Sequence, residues 1–297
     1  MVNIGKPDDA PPAAAGGAPA GAGSGQAGAA DPSAPLLRLR GLGKSFGPVR
    51  ALADIDLDIP AGQVTALVGD NGAGKTTLIK CVAGIWEPSG GQILWKGAPV
   101  HIRSPKDASA LGIATVYQDL ALCDNLDIVQ NMMLGHERIS YGLLDETWME
   151  KTAQQTLADL AVTTVRSVRQ TVGSLSGGQR QSVAVAKAVM LDARLVIMDE
   201  PTAALGVSQT ELVLSLITRL ASRGHAVVVV SHNLNDVFRV ADRVAVLYLG
   251  RLVAQGPATE FDRQSVVDIM TTGASSRRGN GSSGEPAGSR GTSGLED

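Results

Sequence analysis

Between Ala51 and Pro60 the chain alternates: Ile55, Leu57 and Ile59 are apolar, while Asp54, Asp56 and Asp58 are acidic. A period of two predicts a strand with one wet face. Three carboxylates without further ligands nearby read as the solvated edge of an antiparallel layer rather than a cation site. Strand patterns recur in QVTALVG (63–69), GGQILWKG (90–97) and IATVY (113–117). RLVIMD (194–199) and HAVVVVS (225–231) are continuously apolar, as parallel strands covered on both faces should be. Between these two, QTELVLSLITRLASRG places apolar residues at helical spacing and closes on Gly224. From about Asn125 to Val172 the pattern is helix with loops and no strong strand, an insertion between two halves of the sheet. After Arg243, VAVLYLG and GRLVAQG predict a hairpin, followed by a last helix ending near Gly273. The alternation of strands and helices predicts an α/β core with a parallel sheet.

Composition sharpens the boundaries. Of residues 1–35, 24 are Gly, Ala or Pro, and of residues 274–297, 12 are Gly or Ser. Such segments cannot bury enough apolar surface to offset the entropy of ordering, so both are expected to be disordered tails around a domain spanning 36–273. No run approaches the roughly 18 apolar residues of a membrane span, so the chain is not itself a pore. The opening residues hold no Leu-rich secretory run, which points away from export. Cys81 and Cys123 lack Cys or His neighbours at ligand spacing, which argues against a disulfide framework or zinc site and for a reducing compartment. A net charge of −3 with no Lys/Arg block leaves no footprint for nucleic acid.

Chemistry enters after the strand QVTALVG. In GDNGAGKTT, Gly69, Gly74, Lys75 and Thr76 satisfy G-x-x-x-x-G-K-[ST] between a strand and a helix. Glycines let backbone N–H groups curl around phosphates, Lys75 reaches the β/γ oxygens, and the Thr76 hydroxyl ligates Mg²⁺. Such a loop needs a second element for the metal and the attacking water. At the end of the apolar strand RLVIMD, Asp199 is placed to hold Mg²⁺ and Glu200 to orient and deprotonate water. Leu175-Ser176-Gly177-Gly178-Gln179 opens a further helix, where a Ser and free N–H groups can meet a phosphate. His136 and His225 have no partners at metal-ligand spacing and read as surface residues.

With LSGGQ in place the chain resembles the ATP-binding cassette (ABC) ATPases over essentially all of residues 36–273, with the motifs in the family's order. The resemblance implies a P-loop NTPase fold with a parallel-sheet core, an antiparallel β layer and a helical subdomain at about 120–190. It implies Mg·ATP as ligand, with Phe46 stacking on adenine and Gly69, Asp70, Asn71, Gly72, Ala73, Gly74, Lys75, Thr76 and Thr77 around the phosphates. Gln118 would join the metal site to the helical subdomain, and His232 would contact the γ-phosphate. In the family two cassettes sandwich two ATP molecules, so Ser176, Gly177, Gly178 and Gln179 would act in trans on a partner's nucleotide. Where the family's loop after the acidic pair usually ends in Asp, this chain has Gly206 in DEPTAALG, which puts communication between the two sites in doubt.

Without membrane spans of its own, such an ATPase needs separate permease chains, placing it on the cytoplasmic face of the membrane. GDNGAGKTT, YQDLALCDNLDIVQN and SHN look like the ATPases of bacterial monosaccharide importers of the ribose, xylose and fructose type, which also use a solute-binding protein. The alternatives are an ABC ATPase for another substrate and an ATP-dependent interaction module with little hydrolysis. A DNA-repair or translation ATPase would show a long coiled-coil insertion or a second cassette, which the short interval between Gln118 and Leu175 leaves no room for.

Overall fold

Alternate burial builds the first layer. In β1 (Leu37–Phe46) Leu37, Leu39 and Leu42 are buried, and in β2 (Val49–Ile59) Ile55, Leu57 and Ile59 point the same way. Asp58 turns outward onto Arg38 and Arg40 at 3.0 and 2.9 Å. These pairs are partly exposed, so they hold geometry more than they stabilise. The computed structural model describes residues 35–274; the expectations for the two tails lie outside that range except at its inner edges.

β3 (Val64–Val68) runs through the P-loop into α1 (Lys75–Val82). β4 (Gly90–Trp95) and β5 (Ala98–Val100) complete an antiparallel sheet of order β2-β1-β4-β5, with β2 at its edge as expected. α2 (Pro105–Leu111), capped by Ser104, leads into β6 (Ile113–Val116). The insertion comprises α3 (Ile128–Met133), a small hairpin of β7 (Ile139–Ser140) and β8 (Leu143–Leu144), α4 (Glu146–Asp159) and α5 (Gly177–Met190). The chain returns to the sheet with β9 (Leu195–Asp199), α6 (Val207–Ser222), β10 (Ala226–Val230) and α7 (Leu234–Val240). The hairpin β11 (Arg243–Tyr248) and β12 (Arg251–Pro257) and the helix α8 (Arg263–Thr272), ended by Gly273, follow as expected.

The second sheet has the order β12-β11-β3-β10-β9-β6, with every neighbouring pair parallel except β11 and β12. Its central strands are apolar without interruption because side chains from both faces are covered: Val64 and Val227 join one core, Leu67 and Val228 another. In register, Val230 faces Leu67 on one side and Asp199 on the other, and Val116 faces Met198. The carboxyl ends of β3, β10, β9 and β6 therefore finish at nearly one level, where open parallel sheets place ligands.

The hairpin β7–β8 has two residues a side, too short to show alternation, in keeping with a segment read as helix with loops and no strong strand. One local reading is corrected. His225, expected at the surface, is half-buried with Nδ1 2.8 Å from the Ala193 carbonyl, at the mouth of β10. His136 is exposed. Cys81 and Cys123 are free thiols; Cys81 is fully buried, which pushes its pKa up to about 11.

A buried amide fixes the loop that leads into α3. Asn131 on α3 has no solvent exposure; its Oδ1 accepts from Cys123 N at 2.7 Å, and its Nδ2 donates to the carbonyls of Cys123, Leu126 and Asp127. Asn131→Leu fills the space but strands the Cys123 N–H, while the carbonyls of Cys123, Leu126 and Asp127 each keep one backbone donor. It is expected to cost about 1–3 kcal/mol in urea denaturation; an unchanged midpoint would mean that water replaces the amide.

Candidate functional site

The loop Gly69–Gly74 folds as it does because two glycines permit it. A Cβ on Gly69 would lie 2.5 Å from the Leu247 carbonyl, and Gly74 sits at φ +106, a conformation open to glycine. Lys75, largely buried, donates from Nζ to the carbonyls of Gly69 at 2.7 Å and Asp70 at 3.0 Å, which curls the loop around its ammonium. Helix α1 then begins with no side-chain cap and no acidic residue in its first turn. Six of the other seven α-helices in the described residues carry an Asp, Asn or Ser cap, so the bare N–H groups at Lys75, Thr76 and Thr77 stand out as partners for an anion.

An open cleft of about 530 Å³ joins Asn71 to Thr77 with Gln118, Asp199 and Glu200. Burial and the neighbouring Glu200 raise the pKa of Asp199, while Lys75 and Lys80 work in the opposite direction. Such a carboxylate gains from a nearby cation. No cluster of three or more His, Cys, Asp or Glu among the described residues could hold a metal by itself. One hydroxyl (Thr76), one amide (Gln118) and one carboxylate (Asp199) beside a phosphate cradle suit Mg²⁺, which binds through one or two carboxylates plus substrate phosphates.

Glu200 has φ +50, a strained position for a residue with a Cβ. It is held there by its N–H, which donates to Val230 O at 2.9 Å, and by His232 Nδ1, 2.8 Å from Oε1. The contact at Oε1 leaves Nε2 of His232, an exposed side chain, as the nitrogen open to a ligand.

Other expected residues stand apart. Phe46 does not line the cleft; its partly exposed ring meets Trp86 edge-on, with centroids 4.8 Å apart. The cleft wall beside the P-loop is made instead by Val49, Arg50 and Ala51 of β2 and by Leu249 and Gly250 at the β11–β12 turn, none of which the motifs identify. Gly250 N donates to Ala73 O and its carbonyl accepts from Ala53 N, so the turn braces the loop. A two-residue turn ending in Gly was the available signal.

Ser176, Gly177, Gly178 and Gln179 do not line this cleft either. Ser176 caps α5: its Oγ accepts from Gln179 N while Gln179 Oε1 accepts from Ser176 N, a capping box. Arg180 donates to the carbonyls of Leu175 and Gly173 and pairs with Asp124 at 3.0 Å, fixing the turn that presents the exposed Ser176.

Gly206 is the uncapped start of α6, with φ −73, ψ 164 and open space where a Cβ would go. Gly206→Asp is expected to cap Gln209 N and to raise stability by about 0.5 kcal/mol in thermal denaturation; a lower melting temperature would mean that the loop requires glycine.

The chain is matched by a family profile described as ABC transporter over residues 52–203. It is 44% identical over 244 residues to the fructose import ATP-binding protein of Rhizobium meliloti, covering 80% of this chain and 94% of that one. The xylose/arabinose import ATP-binding protein of Sulfolobus acidocaldarius is 41% identical, with the same coverage. The ribose import ATP-binding protein of Roseobacter denitrificans is 39% identical over 80% of this chain, which spans 46% of that relative. Among solved structures, cbiO1 from Clostridium perfringens, part of an ABC transporter complex, matches with a TM-score of 0.68 and 26% identity, covering 80% of this chain and 94% of that one. A dimeric bacterial ABC transporter cassette shares the fold, with a TM-score of 0.63 and 23% identity, covering 76% of this chain and all of that one.

Proposed function

The chain belongs to the ABC transporter family, and from that premise we propose that it is the ATP-hydrolysing subunit of a monosaccharide importer. The observation that carries the reading is the meeting of the P-loop, Asp199, Glu200 and His232 at neighbouring strand ends. The likeness to sugar import ATP-binding proteins adds the cargo class.

Lys75 and the bare N–H groups of α1 bind the β and γ phosphates. Thr76, Gln118 and Asp199 hold Mg²⁺, which when bound neutralises charge on the transferred phosphoryl group. Glu200 orients a water and takes its proton, while His232 fixes the Glu200 carboxylate through Nδ1 and turns Nε2 toward the γ-phosphate. Phe46 is retained as a surface for adenine, reached from the Val49 side of the cleft.

Ser176 to Gln179 lie outside the cleft of their own chain, which supports their acting on the nucleotide of a second copy. ATP held between two chains stabilises the closed pair and hydrolysis releases it. No helix among the described residues is long and apolar enough to cross a membrane. The likeness to import ATP-binding proteins supports a pair that works with separate permease subunits on the cytoplasmic face, supplied by a solute-binding protein. The helical insertion is the docking element toward the permease. The test is reconstitution with a monosaccharide permease and its solute-binding protein. Hydrolysis stimulated by fructose, xylose or ribose supports the cargo class; stimulation by a different solute alone contradicts it.

A further inference from the structure

The loop after Glu200 carries a connection that the hydrolytic motifs do not account for. Thr202 Oγ1 donates to Asp236 Oδ2 at 2.7 Å, and Asn233 Nδ2 donates to the same oxygen at 2.9 Å. Thr202 follows Glu200 by two positions, and Asn233 directly follows His232. Asn233 is itself fixed twice more: its N–H donates to Ser231 Oγ at 3.0 Å, and its Oδ1 accepts from Asn235 N as the cap of α7. Asp236 thus joins the segments that follow the ends of β9 and β10, beside the contact between Glu200 and His232.

Glu200 needs such support. Its left-handed backbone is strained and persists only where surrounding contacts fix it. Its carboxylate meets His232 through a side chain that is largely exposed, and exposed side chains hold a geometry poorly unless their backbone is fixed. Bonds from Thr202 and Asn233 to one oxygen fix both backbones at once. One turn further along α7, Arg239 meets Glu211 of α6 in a two-pronged ion pair, which ties the helix bearing Asp236 to α6 as well.

We propose that Asp236 is a positioning residue for hydrolysis: by binding Thr202 and Asn233 together it sets the distance between Glu200 and His232. The inference rests on the roles given above to Glu200 and His232. It touches no substrate, so its loss acts on the chemical step while leaving ATP binding alone.

Single-turnover hydrolysis with the full chain in excess over ATP tests it. Thr202→Val keeps the volume and removes the donor. It is expected to lower the rate constant about 10–100-fold, as a misplaced reacting group does, with ATP affinity unchanged. Thr202→Ser restores the donor and the rate. In a His232→Ala background Thr202→Val adds little, because the contact it positions is already gone. A wild-type rate for Thr202→Val, an undiminished loss in the His232→Ala background, or a fall in ATP affinity matching the fall in rate overturns the proposal. Glu200→Gln is measured beside these variants. If it hydrolyses ATP at the wild-type rate, the reading of Glu200 fails and takes this inference with it; if it is inactive while Thr202→Val is normal, only the bridge is wrong.

Discussion

Glu200→Gln is expected to bind ATP like the wild type and to hydrolyse it about 10²–10⁴-fold more slowly, the usual cost of removing a general base. The substitution is nearly isosteric. The amide oxygen can still accept from His232 Nδ1, and the backbone bond to Val230 is untouched. Neither the cleft nor the phosphate cradle depends on the lost charge, so ATP affinity should hold. Removing a negative group beside Asp199 also relieves one of the causes that raise the Asp199 pKa, which favours its ionised, metal-binding form. The variant should therefore accumulate in an ATP-bound, associated state. Nucleotide-filter binding and size-exclusion chromatography with Mg·ATP read both properties; turnover at the wild-type rate would remove Glu200 from the mechanism.

Lys75→Met and Ser176→Asp should each abolish hydrolysis for opposite reasons. Lys75 is the one side-chain cation inside the phosphate loop, and charge-assisted bonds of this kind contribute about 1.5–3 kcal/mol each. Its loss should weaken ATP binding by about 10²-fold. Ser176→Asp leaves ATP binding on its own chain intact. Aspartate caps a helix as well as serine, so α5 keeps its start. The added carboxylate meets a phosphate only if another chain's nucleotide is brought to it, and there it repels. Gly178 is a poorer position to change, since a Cβ would lie 3.0 Å from the Gln209 Cβ and disturb how α5 packs on α6.

What the chain discloses before folding divides along a physical line. Contiguous features were legible: the strand entering Gly69, the acidic pair closing β9, the serine opening α5, and the antiparallel edge drawn by Asp54, Asp56 and Asp58. Each is a local pattern whose chemistry depends on neighbours in sequence. Contacts between distant segments were not. Glu200 and His232 are 32 positions apart, and family resemblance alone brought them together. Thr202 and Asp236, 34 apart, are common polar residues with no motif to mark them. Arg50 and Leu249 reach the cleft through the packing of two hairpins. Phe46, placed beside the adenine by resemblance, lies outside the phosphate cleft with its ring against Trp86 and Lys44 at the rim of the antiparallel layer.

The central claim is that each ATP is hydrolysed between two chains, the P-loop from one and Ser176 to Gln179 from the other. Mixing Lys75→Met with Ser176→Asp tests it most directly, since only a mixed pair contains one site with both parts intact. The expected result is recovery of about a quarter of wild-type hydrolysis in an equal mixture, half the pairs being mixed and each holding one good site of two. Hydrolysis that stays at the level of the separate variants at every mixing ratio would contradict it.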